Sequence, residues 1–236
     1  MNARLLVLDT STEILHLGLA DGTRRHLRAL AGGAQASAAL LPGLLALLAE
    51  AGLKLGQLDA IGYGRGPGAF TGVRAACAVT QGLAFGAARP VLALDTLMAV
   101  AEDARAQGAG TELWVAVDAR MGEAYAAHYR HEHGAWHTLE APALHDPAAL
   151  ARRIAARPDA AEVELAGSSL RAHAACWEAL GATGWPDAAP RAAALLALAE
   201  AAWVRGERLD AAEALPLYVR DKVAQTTAER EAARAP

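Results

Sequence analysis

Two widely separated passages of this sequence share one pattern, in which an apolar strand ends in an aspartate and a second strand follows. In the first passage the run Leu5–Leu8 leads to Asp9, and in the second Leu113–Val117 leads to Asp118. Short apolar runs that end in turn residues are typical of buried strands. The pattern predicts an internal duplication, with two similar α/β halves that face one cleft, although strand–aspartate–turn sequences also arise by chance.

The composition is that of a globular protein that does not grip nucleic acid by itself. Of the 236 residues, 54% are apolar, and the mean hydropathy is +0.16, so the chain can bury a proper core and disorder is excluded. The net charge is −4, and the sequence contains no run of lysine and arginine that would follow a phosphate backbone. We therefore expect another subunit to hold most of any RNA.

Cysteine usage and the N-terminal residues favour an intracellular protein. Cys77 and Cys176 are far apart and lack CxxC spacing, so we expect two buried free thiols rather than a disulfide. The run Leu5–Leu8 predicts a core strand rather than a signal peptide. No stretch approaches the ~20 apolar residues of a membrane span. The expectation is a soluble cytoplasmic protein without membrane contact.

Hydrophobic spacing places helices and strands between these landmarks. Regularly spaced leucines predict a helix from Gln35 to Gly52, in which Pro42 should cause a kink or a late start. A second helix is predicted from Val73 to about Ala87, after a short strand at Asp59–Tyr63 and a glycine-rich loop. Further helices are predicted at Pro147–Ala156, Ser169–Leu180 and Ala192–Arg205, and further strands at Pro90–Leu94 and Val163–Ala166.

The glycine-rich loop is the densest motif of the sequence. It lacks the Gly-Lys-Ser/Thr ending of a Walker A loop. The spacing Gly64-x-Gly66-x-x-Ala69 fits a dinucleotide fingerprint superficially, but Pro67 removes a backbone donor where phosphate would need one. A structural turn or a partner-docking loop is the better explanation. The docking residues would be Arg65, Gly66, Pro67, Gly68, Phe70, Thr71 and Arg74.

The helix after this loop has two apolar faces. One face contains Ala75, Ala78, Val79, Gly82, Leu83 and Gly86. The opposite face contains Val73, Ala76, Cys77, Thr80 and Ala84. A mid-helix glycine costs about 1 kcal/mol relative to alanine, and small residues four positions apart let another helix approach closely. We predict that the first face, with Leu44 and Leu48 of the preceding helix, contacts a partner or a second copy. The alternative is that both faces lie in the core of this chain.

Other candidate chemical groups have simpler explanations. Four histidines surround one predicted hairpin turn, namely His128, His131, His133 and His137. Because no cysteine or well-spaced carboxylate joins them, they are predicted to be exposed rather than to bind metal. Gly167-Ser168-Ser169 fits a strand-to-helix turn and not a nucleophile elbow. Asp9 and Asp118 could hold Mg²⁺ across a cleft, or they could be turn formers.

Several motifs together resemble one protein family. The stretch Tyr63-Gly-Arg-Gly-Pro-Gly-Ala-Phe-Thr-Gly-Val-Arg74 is similar, nearly letter for letter, to the signature of the TsaB (YeaZ) family. Further matches follow in family order at Leu8-Asp-Thr-Ser-Thr-Glu13, Gln81-Gly-Leu-Ala84, Val117-Asp-Ala-Arg-Met-Gly-Glu-Ala-Tyr125 and Leu217-Tyr-Val-Arg220. The resemblance extends over essentially the whole chain.

This resemblance implies an α/β fold of the duplicated actin-like (ASKHA) type, with two lobes that each have a central mixed sheet and flanking helices. Residues 1–100 would form the N-terminal lobe and residues 101–205 a second, smaller lobe. Residues 206–236 would pack back on the first lobe.

The resemblance also implies a non-catalytic subunit that pairs with the catalytic paralogue TsaD, with the ATPase TsaE joining. Their complex transfers threonylcarbamoyl from an adenylate to N6 of adenosine 37 in tRNAs that read codons beginning with A. No cofactor is expected in the isolated chain, whereas ATP or ADP and a divalent metal are expected on the partner subunits. The chain would contact tRNA only through the complex. Docking would use helices of the N-terminal half, and without the partner the chain would self-associate through the same surface.

One comparison within the resemblance bears on mechanism. TsaD-like paralogues carry His-x-x-x-His just after the strand equivalent to Pro90–Leu94, and these histidines bind the catalytic metal. Here Thr96 and Val100 occupy the two positions, and valine has no donor atom. The resemblance therefore implies no catalytic or metal-binding residues in this chain. A vestigial nucleotide cleft would be formed by Asp9, Thr10, Ser11, Asp118 and Arg120.

Two other functions are kept as alternatives. The first is a small actin-like phosphotransferase that uses Asp9, Thr10 and Asp118 with Mg-ATP. Tight ATP binding and turnover by the single chain would favour it. The second is a glycoprotease-like peptidase, against which the missing metal histidines argue.

Overall fold

The first half of the chain forms one mixed sheet. Its strands are β1 (Arg4–Asp9), β2 (Ile14–Asp21), β3 (Arg24–Ala31), β4 (Ala60–Gly64) and β5 (Val91–Leu94). The computed structural model describes residues 3–220, and in it these strands pair in the order β3-β2-β1-β4-β5. β1 pairs antiparallel with β2 and parallel with β4. The four apolar residues Leu5–Leu8 are fully buried, which is expected of a central strand covered on both faces.

The second half repeats this arrangement. Its strands are β6 (Glu112–Arg120), β7 (Glu123–Glu132), β8 (Ala135–His145), β9 (Glu164–Ala166) and β10 (Thr183–Trp185). They pair in the order β10-β9-β6-β7-β8. Read from β8, this is the order of the first sheet with each strand replaced by the one five places later in the chain. β6 again pairs antiparallel with the next strand and parallel with β9. The internal duplication predicted from the strand–aspartate–turn pattern is confirmed.

Helices follow the strands at equivalent places in both halves. They are α1 (Ala36–Ala51), α2 (Phe70–Ala87), α3 (Thr96–Ala106), α4 (Pro147–Ala155), α5 (Ser169–Ala172), α6 (Ala174–Glu178) and α7 (Ala192–Arg205). The crossover from β4 to β5 is the continuous helix α2, whereas the crossover from β9 to β10 is broken into α5 and α6. The single helix predicted for Ser169–Leu180 is therefore wrong, because the backbone leaves helical geometry at His173.

Helix α1 differs from its predicted role. It continues through Pro42 and ends at Gly52, whose φ of 68° closes the helix in the left-handed conformation that glycine adopts readily. Leu44 and Leu48 point into the core of the first lobe with exposures of 0% and 4%. The prediction that these two leucines line a partner surface is wrong, because they pack under the helix against the first sheet.

The last helix of each half packs against the sheet of the other half. Helix α7 covers β1 and β2, where Leu195 and Leu196 lie among Leu5 and Val7. Helix α3 contacts β6 and β7, and its Val100 lies in the core of the second lobe. The predicted boundary at residue 100 lies within α3, and α7, which was assigned to the second lobe, packs on the sheet of the first.

Three carboxylates along α3, of which Asp95 is half-buried and the other two are buried, join the lobes. Asp95 accepts a hydrogen bond from the Tyr129 hydroxyl at 2.9 Å and also caps the helix through the Leu97 amide. Glu102 accepts from the indole N–H of Trp136 at 2.9 Å. Asp103 accepts from the Ala189 amide at 3.0 Å and pairs with Arg191. Each carboxylate is matched by donors from the second half of the chain, which offsets the cost of burying it.

Residues 209–220, here called the C-terminal strap, run from the first lobe to the second. The strap begins with a β-bridge between Leu209 and Val91. The carbonyl of Leu215 accepts from the Tyr63 hydroxyl at 2.9 Å, and the Leu217 amide donates to the carbonyl of Arg65 at 2.7 Å. Of the tail predicted to pack back, residues 209–218 thus contact the first lobe, and residues 221–236 lie outside the described residues.

Arg220 fastens the far end of the strap to the turn between β6 and β7. Its guanidinium donates to the carbonyl of Ala119 at 3.0 Å and pairs with Glu123 at 2.8 Å. The side chain is only 12% exposed. Tertiary contacts at this end therefore fix the strap to the second lobe.

Several smaller predictions can be compared with the structure. Both cysteines are free thiols, although Cys176 is only half-buried. His128 is buried and stacks on Trp114 at 4.6 Å between ring centroids, so the prediction that it is exposed is wrong. Among residues 3–220, no helix combines the length and apolar character needed to span a bilayer.

Candidate docking surface and cleft

The aspartate at the end of β1 is enclosed by the protein. Asp9 Oδ1 accepts hydrogen bonds from the amide and hydroxyl of Ser11 at 2.8 and 2.5 Å, and Oδ2 accepts from the Thr96 hydroxyl at 3.0 Å. Burial raises the pKa of the Asp9 carboxyl, although these hydrogen bonds oppose the rise. Both carboxylate oxygens are thus engaged by neighbouring side chains.

The glycine-rich loop covers this turn. The Ala69 amide donates to the carbonyl of Ser11 at 2.8 Å, and the Thr10 hydroxyl donates to the carbonyl of Gly72 at 2.5 Å. Thr10 and Ser11 are 1% and 5% exposed, so neither these residues nor Asp9 presents a side chain to an open cleft. The prediction that these three residues line a nucleotide cleft is wrong.

The loop itself is mainly structural. Gly66 and Pro67 are buried, and a β-carbon at Gly68 would overlap Ser11. Only glycine fits where two backbone segments approach so closely. The prediction that Gly66 and Pro67 dock a partner is wrong, because both residues are buried. Arg65 and Gly68 are half-buried, and the exposed residues of the predicted docking set are Phe70, Thr71 and Arg74.

The two positions that hold histidine in TsaD-like paralogues have different roles here. The Thr96 hydroxyl donates to Asp9 and accepts from the Gly66 amide at 3.0 Å, so it links β1, the loop and α3. Val100 is fully buried among apolar side chains of the second lobe. Within residues 3–220, no three histidine, cysteine or acidic side chains converge as a set of metal ligands.

The second aspartate lies at the rim of the cleft. Asp118 accepts from the Arg120 amide at 3.0 Å, and its oxygens lie 3.4 Å from His173 and 3.7 Å from the Arg120 guanidinium. Arg120 also reaches Glu13 across the cleft at 3.2 Å. In the described part of the chain, no side chain contacts both Asp9 and Asp118. Asp9 and Asp118 thus have separate sets of hydrogen-bond partners.

One face of α2 is open. Ala78, Gly82 and Gly86 are exposed, and Ala75, Val79 and Leu83 are partly exposed. The opposite face is buried against the first sheet and consists of Val73, Ala76, Cys77, Thr80 and Ala84. A β-carbon added at Gly82 or Gly86 would meet no atom within 4 Å. The alternative that both faces lie in the core of this chain is wrong.

Exposed apolar residues extend this face beyond the predicted set. On α1, Leu41 and Leu45 are 43% and 53% exposed, and on α2 Phe85 is 84% exposed. Leu215 of the C-terminal strap is 69% exposed. Exposed apolar residues that cluster in one region indicate an interaction site. The exposed sides of α1 and α2 are here called the α1/α2 face.

An aromatic and cationic cluster stands at the N-terminal end of this face. The Arg74 guanidinium lies 3.7 Å from the ring centroid of Phe70 and 5.3 Å from that of Tyr218. Its Nε donates to the Tyr218 hydroxyl at 2.7 Å. Sequence spacing could place Phe70 and Arg74 on one helix turn. Tyr218 lies in a recognised motif of the strap, but nothing local indicated that it contacts Arg74.

The fold and the site can now be compared with known proteins. A family model described as "TsaD: tRNA N6-adenosine threonylcarbamoyltransferase" matches residues 33–176. YeaZ from Pseudomonas aeruginosa superposes with a TM-score of 0.83 at 39% identity, covering 92% of this chain and 99% of that one. The two matched sheets and their helices make this a duplicated actin-like α/β protein, as the motifs implied.

Curated relatives narrow this class to one family. The tRNA threonylcarbamoyladenosine biosynthesis protein TsaB of Escherichia coli K12 is 33% identical, with 94% of this chain and 96% of the relative covered. The protein of the same name from Haemophilus influenzae is also 33% identical, with 94% and 95% covered. The chain belongs to the TsaB (YeaZ) family.

Proposed function

We propose that this chain is a non-catalytic subunit of the tRNA N6-threonylcarbamoyladenosine transferase complex. In that complex it binds TsaD and, with TsaE, supports threonylcarbamoyl transfer to adenosine 37 of tRNAs that read codons beginning with A. The names of the curated relatives support a role in this pathway. The net charge of −4 fits contact with tRNA only through the complex. We place nucleotide and divalent metal on the partner subunits, and the complex in the cytoplasm.

The hydrogen bond from the Thr96 hydroxyl to Asp9 is the observation that best supports a non-catalytic role. A threonine hydroxyl that already donates to one group and accepts from another has little capacity left for a ligand. Val100, at the second position of the paralogues' histidine pair, offers only a buried aliphatic side chain. The chemistry that the paralogues perform at this place therefore has no donor set in this chain.

The α1/α2 face supports the proposal of docking. Glycines that fill no crowded space lower helix stability by about 1 kcal/mol each, so Gly82 and Gly86 fit a surface that another helix approaches closely. The large exposed side chains around them, Leu41, Leu45 and Phe85, are the type that forms the apolar centre of an interface. TsaD is the occupant that family membership favours.

Binding of the full-length chain to its own TsaD tests this proposal. We expect a stoichiometric complex by size-exclusion chromatography with light scattering, and threonylcarbamoyl transfer in a reconstituted assay that requires this chain. Gly82→Leu should block the complex, because a leucine there would hold the partner helix away, while circular dichroism should remain that of the folded protein. Ala175→Leu, which adds the same side chain at an exposed helical position of the second lobe, is the matched control.

Three outcomes would contradict the proposal. Intact pairing of Gly82→Leu with TsaD would remove the α1/α2 face as the docking site. Threonylcarbamoyl transfer at full rate without this chain would remove the functional role. Robust ATP turnover by the purified chain alone would favour the phosphotransferase alternative.

A further inference from the structure

Helix α2 contains a single charged residue. Among the eighteen residues from Phe70 to Ala87, only Arg74 is charged, and it is exposed on the same side of the helix as Ala78 and Gly82. The neighbouring exposed side of α1 is apolar at Leu41 and Leu45. The α1/α2 face is therefore an apolar surface with one cation, Arg74, in the first turns of α2 and one acid, Glu50, in the last turn of α1.

Contacts within this chain hold the Arg74 guanidinium in place before a partner binds. The rings of Phe70 and Tyr218 contact the guanidinium, and the Tyr218 hydroxyl accepts from Nε. Among residues 3–220 the terminal nitrogens form no hydrogen bond, so they remain available as donors. No carboxylate of residues 3–220 forms an ion pair with Arg74. A planar guanidinium that is stacked and oriented in this way is suited to bidentate recognition of a carboxylate.

When a partner covers this face, the charge of Arg74 determines whether the complex is stable. An arginine that loses water at an interface without a matching anion destabilises the complex by several kcal/mol, whereas a carboxylate opposite it supplies specificity. The partner must therefore present an aspartate or glutamate at the end of the apolar contact. A partner without that carboxylate is disfavoured, even if its apolar surface fits.

A second copy of this chain does not meet this requirement. In a symmetric pair the same face meets itself, so two Arg74 side chains enter one interface. Helix α2 has no acidic residue, and the single acid of α1, Glu50, lies in its last turn and pairs with Arg28. The face thus matches an acidic partner better than it matches itself.

We propose that Arg74 selects the partner of the α1/α2 face: it binds a carboxylate on the heterologous partner and opposes self-association. This inference rests on the function proposed above, since it takes TsaD as that partner. Arg74 then acts by both attraction and repulsion, which is how specific interfaces separate two competing partners.

Two dissociation constants measured on full-length Arg74→Met test the proposal. We expect the complex with TsaD to weaken about 30-fold or more by isothermal titration, because the partner's carboxylate is left unpaired. Sedimentation equilibrium should show self-association about tenfold tighter, because two like charges are removed from the symmetric contact. Arg152→Met, at an exposed position on α4, should leave both constants unchanged.

Salt provides a second readout. For the wild-type chain, raising NaCl should weaken the TsaD complex, and this dependence should be smaller in Arg74→Met. Arg74→Lys keeps the charge but not the planar fork, so it should retain the salt dependence with an intermediate affinity.

The failures of the two proposals can be told apart. If wild-type chain does not bind TsaD, the proposed function fails. If wild-type chain binds TsaD and Arg74→Met binds equally well, only the role of Arg74 is overturned. Weakening of both the TsaD complex and self-association would also overturn it, since that result would mean that Arg74 is a general contact without selectivity.

Discussion

The hydroxyl of Thr10 donates a 2.5 Å hydrogen bond to the carbonyl of Gly72, which fastens the turn after β1 to the first turn of α2. The two backbones are so close that a β-carbon at residue 72 would overlap the carbonyl oxygen of Thr10. By contrast, Gly82 in the same helix faces open space. Gly72 therefore permits close packing of two backbone segments, whereas Gly82 lies on the exposed face of the helix.

We expect alanine to act in opposite directions at these two positions. Gly72→Ala should lower the free energy of unfolding by about 2 kcal/mol or more, because backbone must shift to admit the methyl group. Gly82→Ala should raise it by about 0.5–1 kcal/mol, because alanine is the better helix former and meets no obstacle. Urea unfolding of the two variants measures both values. Equal effects at the two positions would contradict the packing described for α2.

A second prediction concerns the Thr96 hydroxyl. Thr96→Val should destabilise the protein by about 1–3 kcal/mol, because Asp9 and the Gly66 amide would each lose a buried hydrogen-bond partner. Thr80→Val is the matched control, since the Thr80 hydroxyl is buried without a partner among the described residues. That substitution should be neutral or stabilising. Thermal unfolding of the pair tests the structural role assigned to Thr96, and a neutral Thr96→Val would contradict it.

A third prediction concerns the acid stability of the first lobe. Burial, with the nearby charge of Arg191, lowers the pKa of His16 to about 4. An unfolded histidine titrates near pH 6.5. As the pH falls from about 6.5 towards 4, His16 therefore binds a proton in the unfolded chain but stays neutral in the folded chain. Stability should therefore be lost in this window, by at most about 3 kcal/mol.

His16→Leu isolates this effect. The difference in unfolding free energy between wild type and variant should be constant above about pH 7 and should shift in favour of the variant as pH falls. Urea unfolding at a series of pH values measures it. A difference that stays flat down to pH 4.5 would show that His16 gains its proton as easily in the folded chain.

The fourth prediction concerns the end of the C-terminal strap. Arg220→Met should destabilise the protein by about 1–3 kcal/mol and speed hydrogen exchange of the Leu217 amide, because the Ala119 carbonyl and Glu123 lose a shielded donor. Arg205→Met is the control, since the Arg205 side chain is 43% exposed in its pair with Glu207. An exposed pair of this kind contributes about 0–1 kcal/mol. Unchanged exchange in Arg220→Met would show that other contacts hold the strap.

The sequence predicted those parts of the fold that have a local pattern. The repeat of strand, aspartate and strand at Asp9 and Asp118 predicted the duplication, and helical spacing separated the open from the buried face of α2. Spacing could not tell which side of α1 is buried, because Leu41 and Leu45 form an apolar row as good as that of Leu44 and Leu48. Periodicity shows which residues share a face, but not which way the face points.

Contacts between distant parts of the chain were beyond local patterns. Nothing in the sequence of α7 indicates that it packs on the sheet of the first lobe, since an apolar helix fits either sheet equally well. For the same reason the burial of Gly66 was not predicted, because it depends on Val73 of α2 and on Leu217 of the distant C-terminal strap. The Arg74 cluster likewise requires Tyr218, which lies 144 residues away in the chain.

The broken crossover of the second half has a consequence for assembly geometry. A molecule with two equivalent halves could present two equivalent docking helices, one in each half. Such a molecule could link its neighbours into a filament, as head-to-tail contacts do when they do not close into a ring. Here α2 is eighteen residues long, while its counterpart is split into pieces of four and five. Because only α2 is continuous, each chain should bind a single neighbour through this helix. Assembly should therefore stop at a pair and not continue into a polymer.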